Sequence, residues 1–187
     1  MSKIALTPNA SGTGTLTIAA PNTSTDRTLT LPDETGTVMS SVSSVATSQL
    51  PAGSVLQVVT ATDAGVRSTT STTFVTASNT LSVSITPRSS SSKVFVTVSS
   101  SVDISATNTY FVFTIFRGAT NLGSNQGLNL VRVSATSNTY PIAMSYLDSP
   151  NTTSATTYQV YLKTDGGTAY LNTGACVGTI TAMEIAG

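Results

Sequence analysis

The densest collection of reactive side chains is the run YLDSPNTTSATTYQVYLKT, residues 146–164, where Asp148 stands beside a cluster of hydroxyls. An acid near Ser or Thr suggests a hydrolase triad, but a triad also needs a base to take the hydroxyl proton. The sequence contains no His. A Ser–Lys pair would have to draw on Lys3, Lys93 or Lys163, and Lys163 sits at the end of an alternating run next to Asp165. There it reads as an exposed charge capping a hairpin. Paired carboxylates for glycosidic cleavage would come from Asp26, Asp33, Glu34, Asp63, Asp103, Asp148, Asp165 and Glu184. Asp33 and Glu34 are adjacent, and in an extended chain neighbouring side chains diverge. No catalytic residues are expected, and the chain reads as a non-enzyme.

Metal and redox chemistry fare no better. Zinc sites draw on several Cys and His, and this chain has one Cys and no His. Calcium loops gather oxygens in a DxDxDG pattern, which does not occur here. No metal and no cofactor are expected. Cys176, in the run ACVGTITAMEI, is read as a small buried hydrophobe, since no His is available to activate it as a nucleophile. The tripeptides starting at Asn9, Asn22 and Asn151 match the glycosylation acceptor pattern. Without a secretory signal they are read as accidents of a composition rich in Asn, Ser and Thr.

That composition is itself informative. Eight basic and eight acidic residues cancel, and no basic stripe marks a nucleic-acid or anionic-membrane surface. Ser and Thr together supply 64 of 187 residues, so hydroxyls stand where most soluble proteins carry Lys and Glu. Thr is stiff at its branched Cβ and favours strands, and alternation with Val, Ile or Leu makes one wettable face and one that is not. No apolar run approaches the length of a membrane helix, so no membrane insertion is expected and synthesis in the cytoplasm is the default reading.

The pattern divides at about residue 52. Residues 1–52 hold short alternating pieces separated by turn residues, each with only two or three apolar side chains; Leu16, Ile18, Leu29, Leu31 and Val38, the last followed by Met39, stand out. Fixing a residue costs about 1–2 kcal/mol, whereas burying a Leu or Ile returns roughly 1.5–3. So few apolar groups do not support an isolated fold: the segment is either a disordered linker or pools Leu16, Ile18, Leu29, Leu31 and Val38 as oligomer-core candidates with sister chains, and the period-two alternation of TLTI and TLTL favours the second.

Residues 53–187 carry denser alternation, with strands expected at 54–60, 71–76, 80–86, 93–101, 109–117, 128–134, 139–147, 156–164, 168–172 and 177–185. In KVFVTVS, Val94, Val96 and Val98 share one face, and Phe95, Thr97 and Ser99 the other. TYFVFTIFRG is apolar on both faces, which implies a central strand with a covered outer side at a subunit contact. TDGGT reads as a tight hairpin with positive φ at Asp165 and Gly166. Pro150 marks DSPNTTSAT as a strand connection. With no βαβ rhythm, the fold class is all-β: an extended N-terminal β segment followed by a jelly-roll-like β-sandwich.

The stretch LTIAAPNTSTDRTLTLPDETGTVMS, residues 16–40, resembles a segment recurring in tail-fibre and other virion appendage proteins of tailed bacteriophages. GSVLQVVTATD (53–63), STTSTTFVT (68–76), LSVSITPRSSSSKVFVTVS (81–99), the 146–164 run and TITAMEI (179–185) resemble the C-terminal β domain that follows it, in the same order. The resemblance implies a short homotrimeric fibre on the virion, bound to other virion proteins through its N-terminal segment and to host surface glycan or protein through its distal loops. Asn121, Asn125, Asn129, Asn138, Asn151 and Thr152 are the receptor-contact candidates on those loops. A capsid decoration or adaptor protein is the alternative.

Overall fold

A computed structural model describes residues 49–134 and 139–187, with 10–15, 17, 22, 24–26 and 28 of the preceding region. Leu16, Ile18, Leu29, Leu31, Val38 and Asn138 lie outside the described residues. Backbone proximity groups the chain into two units, Met1–Ser40 and Ser41–Gly187. The described residues of the first are exposed; the second carries every strand reported below.

Those strands are β1 (Val55–Asp63), β2 (Arg67–Thr69), β3 (Ser82–Ile85), β4 (Lys93–Ile104), β5 (Thr109–Arg117), β6 (Thr120–Asn121), β7 (Asn129–Val133), β8 (Tyr140–Asp148), β9 (Thr156–Thr164), β10 (Ala169–Leu171) and β11 (Gly178–Ile185). All pairings between them are antiparallel. Setting aside the short β2, β6 and β10, the first remaining strand pairs the last (β1 with β11), then β3 pairs β9, β4 pairs β8 and β5 pairs β7. This is one long nested hairpin. Rolling it up sets β4 beside β11 and β5 beside β9, which yields two four-stranded sheets, β1-β11-β4-β8 and β3-β9-β5-β7. The fold is therefore a β-sandwich of the jelly-roll kind, a double Greek key.

Period-two alternation decides what fills it. Val94, Val96 and Val98 of β4 and Ile180 and Ala182 of β11 point inward against Phe111, Phe113 and Ile115 of β5 and Tyr158, Val160 and Leu162 of β9, all within one buried cluster. Each buried Val, Leu, Ile or Phe among them contributes roughly 1.5–3 kcal/mol. The same alternation carries Glu184 inward, in phase with Ile180 and Ala182, so that it is fully buried.

Several expectations change. Residues 71–76 form no strand; only Val75 bridges to Leu162, and the nearby strand is β2. The reason is local: Ser71 Oγ donates to the Thr73 carbonyl and accepts from the Thr73 N–H, a side-chain turn that competes with a ladder. Ala77 and Ser78 then take left-handed backbone, at φ 49° and 57°. TDGGT is not a hairpin: it joins β9 of one sheet to β10 of the other, and the positive φ falls on Gly167, at 68°. Cys176 is exposed rather than buried, because Asn172, Gly174 and Ala175 all adopt left-handed φ and turn the 172–177 loop outward.

The outer side of β5 is covered by its own chain rather than left for a subunit contact. Leu122 and Leu128 donate backbone bonds to Ile115 and Phe113, Gly127 presses on Val112, and Gly123 approaches the Thr114 hydroxyl. Phe74 meets Phe116 edge-on, with ring centroids 5.9 Å apart, and Phe116 stacks on Tyr161. Lys163, expected to be an exposed charge capping a hairpin, is half-buried, lies 4.6 Å from the centre of the Phe74 ring and donates to the Asn125 carbonyl.

Candidate interaction surface

The reactive groups singled out by sequence are consumed by the fold. Asp148, at the end of β8, accepts from Arg117 Nη1 on β5 at 2.9 Å and from Tyr158 Oη on β9 at 2.7 Å. It is the tie that holds the 149–155 connection to both sheets. Burial first, and then the Asp148 carboxylate, push the Tyr158 hydroxyl far above the ordinary phenol range, so it stays protonated and donates to Asp148.

Asp63 likewise accepts from the N–H groups of Gly65 and Thr80 and from Arg67. Burial opposes its charged form, but these donors outweigh burial and hold the carboxyl below its usual range. Glu184 is held down in the same way: against burial, it gains the Gln57 amide at 2.6 Å and the Arg88 N–H at 2.6 Å. Among the described residues no three His, Cys, Asp or Glu side chains gather as a metal site. The three buried carboxylates sit in three separate internal networks, so none is poised beside another as an acid–base pair.

Of the receptor-contact candidates on the 121–129 loop, Asn121 and Asn129 also brace the fold. Asn121 Oδ1 accepts from Thr114 Oγ1 and the Gly123 N–H, and its amide donates to the Ser124 carbonyl. Asn129 donates to the Ala143 carbonyl, tying β7 to β8 across the two sheets. Asn125 is exposed and offers its carbonyl to Lys163. Asn151 is an exposed turn residue at φ 52°, a conformation Asn tolerates, and Thr152 Oγ1 accepts from the Ser154 N–H.

What sequence reading passed over is the outer face of the sheet β1-β11-β4-β8. The strand registers place its outward side chains in cross-strand rows. One row is apolar, Val58–Met183–Phe95–Leu147. The next is hydroxylic, Thr60–Thr181–Thr97–Ser145, with Thr60 and Thr181 hydroxyls 3.1 Å apart. A third reads Thr62–Thr179–Ser99–Ala143. Val58 is 56% exposed and Leu147 50%, values unusual for large aliphatic side chains on a solvated sheet. Beyond the apolar row lies Val55–Ile185–Lys93, where the first charge on this face appears.

Shallow depressions of about 410 Å³ and 450 Å³ open between the hydroxyl rows and toward Pro141 and Cys176. The signal was present in the sequence: Phe95, Thr97 and Ser99 alternate against the inward valines. What the sequence lacks is the register that sets Phe95 beside Met183 and Leu147.

No family model and no curated protein matches the chain. Among solved structures, the chain is similar to a chain of the infectious bursal disease virus Gt strain structure, at 13% identity and a TM-score of 0.40, over 72% of this chain and 39% of that one. It is also similar to a mutant VP2 protein of infectious bursal disease virus in derived T=1 particles, at 12% identity and a TM-score of 0.38, over 70% and 37%. The chain spans less than two fifths of the length of either. The jelly-roll assignment rests on the strand register, not on these likenesses.

Proposed function

We propose that the chain is a noncatalytic structural protein of a virus particle, a short trimeric tail fibre that contributes to host-surface attachment. The observation that carries the reading is the double Greek key roll itself, a module used in viral coats and lectins. A roll hosts many functions, so two further features matter. The buried carboxylates are committed to internal ties, and the surface is dressed in hydroxyls rather than charge, which suits a module that makes contacts and performs no chemistry. The resemblance of residues 16–40 to phage appendage segments supplies the bacteriophage setting and the assignment of the N-terminal segment to contacts with other virion proteins.

The second reading is a capsid decoration or adaptor, favoured by the charge-free sheet face, which fits a flat protein partner as readily as a fibre neighbour. Imaging of purified particles bearing an antibody fragment against the roll separates the two. Label at the tail supports the fibre and label on the capsid shell supports decoration, whereas unlabelled particles from a lysate that contains the protein would exclude both. Pre-incubating host cells with the purified protein adds a functional readout: a fibre that contacts host glycan or protein slows particle adsorption, and a decoration protein does not.

A further inference from the structure

We propose that the cavity beside the 87–92 loop binds a carboxylate-bearing sugar, with the Arg88 guanidinium taking the carboxylate. The cavity holds about 240 Å³ and is more enclosed than the two depressions on the sheet face. At ~30 Å³ of liquid per water it has room for roughly eight waters, enough for one pyranose ring with its substituents. It is lined by Leu50 and Leu56, by Arg88, Ser89 and Ser92, and by residues 186–187. Apolar side chains with a few polar groups around one concavity are the usual make-up of a small-molecule site.

Glu184 builds the polar side. Fully buried near the end of β11, it accepts from the Gln57 amide of β1 and from the Arg88 backbone N–H, both at 2.6 Å. The second bond pins the loop that carries Arg88 to the cavity. Arg67 and Arg117 are each paired with a carboxylate, whereas the Arg88 guanidinium makes no ion pair or hydrogen bond with any described residue. Its planar fork matches a carboxylate, which it holds through two parallel bonds. The buried charge of Glu184 close by disfavours a doubly charged phosphate, so one guanidinium is matched to one singly charged anion.

Ser92 supplies an independent sign. Its hydroxyl is buried and meets no partner at hydrogen-bond geometry, although it lies near enough to Glu184 to favour the charged carboxylate. Buried polar groups are completed as a rule, and a ligand hydroxyl in the cavity completes this one. Ser89 Oγ, held by the Ser91 N–H, adds a second hydroxyl. A simple aliphatic acid would use Arg88 and the two leucines but neither serine. A sugar acid uses all five, laying ring C–H groups on Leu50 and Leu56 and its hydroxyls on Ser89 and Ser92. The choice of a host glycan as the source of that sugar rests on the attachment reading above; the cavity and its unpaired cation do not.

Glucuronate is the probe, titrated into the full chain at neutral pH and followed by saturation-transfer NMR. Saturable binding with a Kd on the order of 1 mM is expected, the strength of one charged pair and a few neutral contacts. Glucose, which lacks the carboxylate, and acetate, which lacks the ring, are each expected to bind roughly tenfold more weakly or worse. Arg88→Gln keeps the backbone N–H on Glu184 and is expected to weaken glucuronate binding by about tenfold or more. Ser92→Ala is expected to weaken it by about threefold or more with an unchanged urea midpoint, because the hydroxyl it removes has no partner in the free protein. Arg132→Gln, exposed on the opposite sheet, is expected to leave binding unchanged.

Glucuronate that fails to bind at about 20 mM, or that binds Arg88→Gln as tightly as the parent, overturns the site. N-acetylglutamate matching glucuronate overturns the sugar assignment. Ser92→Ala that lowers the urea midpoint and leaves binding unchanged makes Ser92 a brace of Glu184 and overturns its part in the site. The attachment reading has its own readout, the slowing of particle adsorption by the purified protein. Slowed adsorption without glucuronate binding sinks the site alone, and glucuronate binding without slowed adsorption sinks the host-glycan source alone.

Discussion

Replacing Asp148 by Ala tests whether this acid is the internal tie described above. Tyr158 is fully buried and its hydroxyl donates to Asp148 Oδ2 at 2.7 Å. Removing the carboxylate strands that hydroxyl, a loss of about 1–3 kcal/mol. Arg117 also loses its partner, but its side chain is 30% exposed, so water takes over part of the contact and the loss there is at most about 1 kcal/mol. The sum is roughly 1–4 kcal/mol, set against the ~5–15 kcal/mol stability of an ordinary domain.

Tyr158→Phe removes the donor while leaving Asp148 its ion pair, and costs about 0.5–1.5 kcal/mol. In the double variant no buried hydroxyl is stranded, so the two losses do not add, and a coupling of about 1–2 kcal/mol is expected. Guanidinium unfolding at pH 7, followed by far-UV circular dichroism, reads all four proteins, and an unchanged slope confirms that the same surface is exposed in each. Asp148→Ala within about 0.5 kcal/mol of the parent would mean that the carboxylate is no tie, and losses that simply add would mean that the two contacts are independent.

Glu184 and Asp63 are held below their ordinary values in the folded chain, so the unfolded chain binds more protons as acid is added, and stability rises with pH through that range. Their contribution is fully present above the ordinary carboxylate value, 4.5 for Glu184, and is lost as pH falls through the lower folded value. Glu184→Gln should therefore flatten the acid limb of a stability-against-pH curve, and an acid limb identical to the parent's would contradict the assignment. Gly127→Ala would set a Cβ 2.2 Å from the Phe113 carbonyl oxygen and 2.6 Å from Val112 Cγ1 at φ +67°, and should cost more than about 2 kcal/mol in chemical denaturation. Gly118→Ala, at φ +55° with open space around it, should cost only about 1. Cys176 is exposed and should react with a thiol reagent in the native protein at the rate of a free thiol, whereas a lag matching global unfolding would place it inside.

Much of the fold could be read from alternation. The bounds expected for β5 and β9 coincide with those observed, because both strands are long, rich in β-branched and aromatic residues, and closed by unambiguous turn residues. The order of strands in the roll could not be read, since period two says which way a side chain points and nothing about its partner. STTFVT misled because Ser and Thr serve both strands and side-chain turns, and in this chain the Ser71 hydroxyl closes a turn onto Thr73. Cys176 misled because apolar neighbours in sequence do not keep a residue inside when three left-handed backbones carry the loop outward.

The candidate surface was the least legible part. Loops drew attention as places that tolerate change, and the bracing roles of Asn121 and Asn129 on them could not be read from their residue types. The exposed apolar row is assembled from four strands far apart in sequence, one residue from each. Glu184 could have been recognised as inward-facing from its phase with Ile180 and Ala182, and the same phase argument marks Met183 as outward.

The proposed function builds this chain into a virus particle as a structural part. Quantitative mass spectrometry of particles purified to constant composition tests it most directly. A fixed copy number per particle, divisible by three, is the predicted result. Its absence from purified particles, with the protein abundant in the same lysate, would contradict the account.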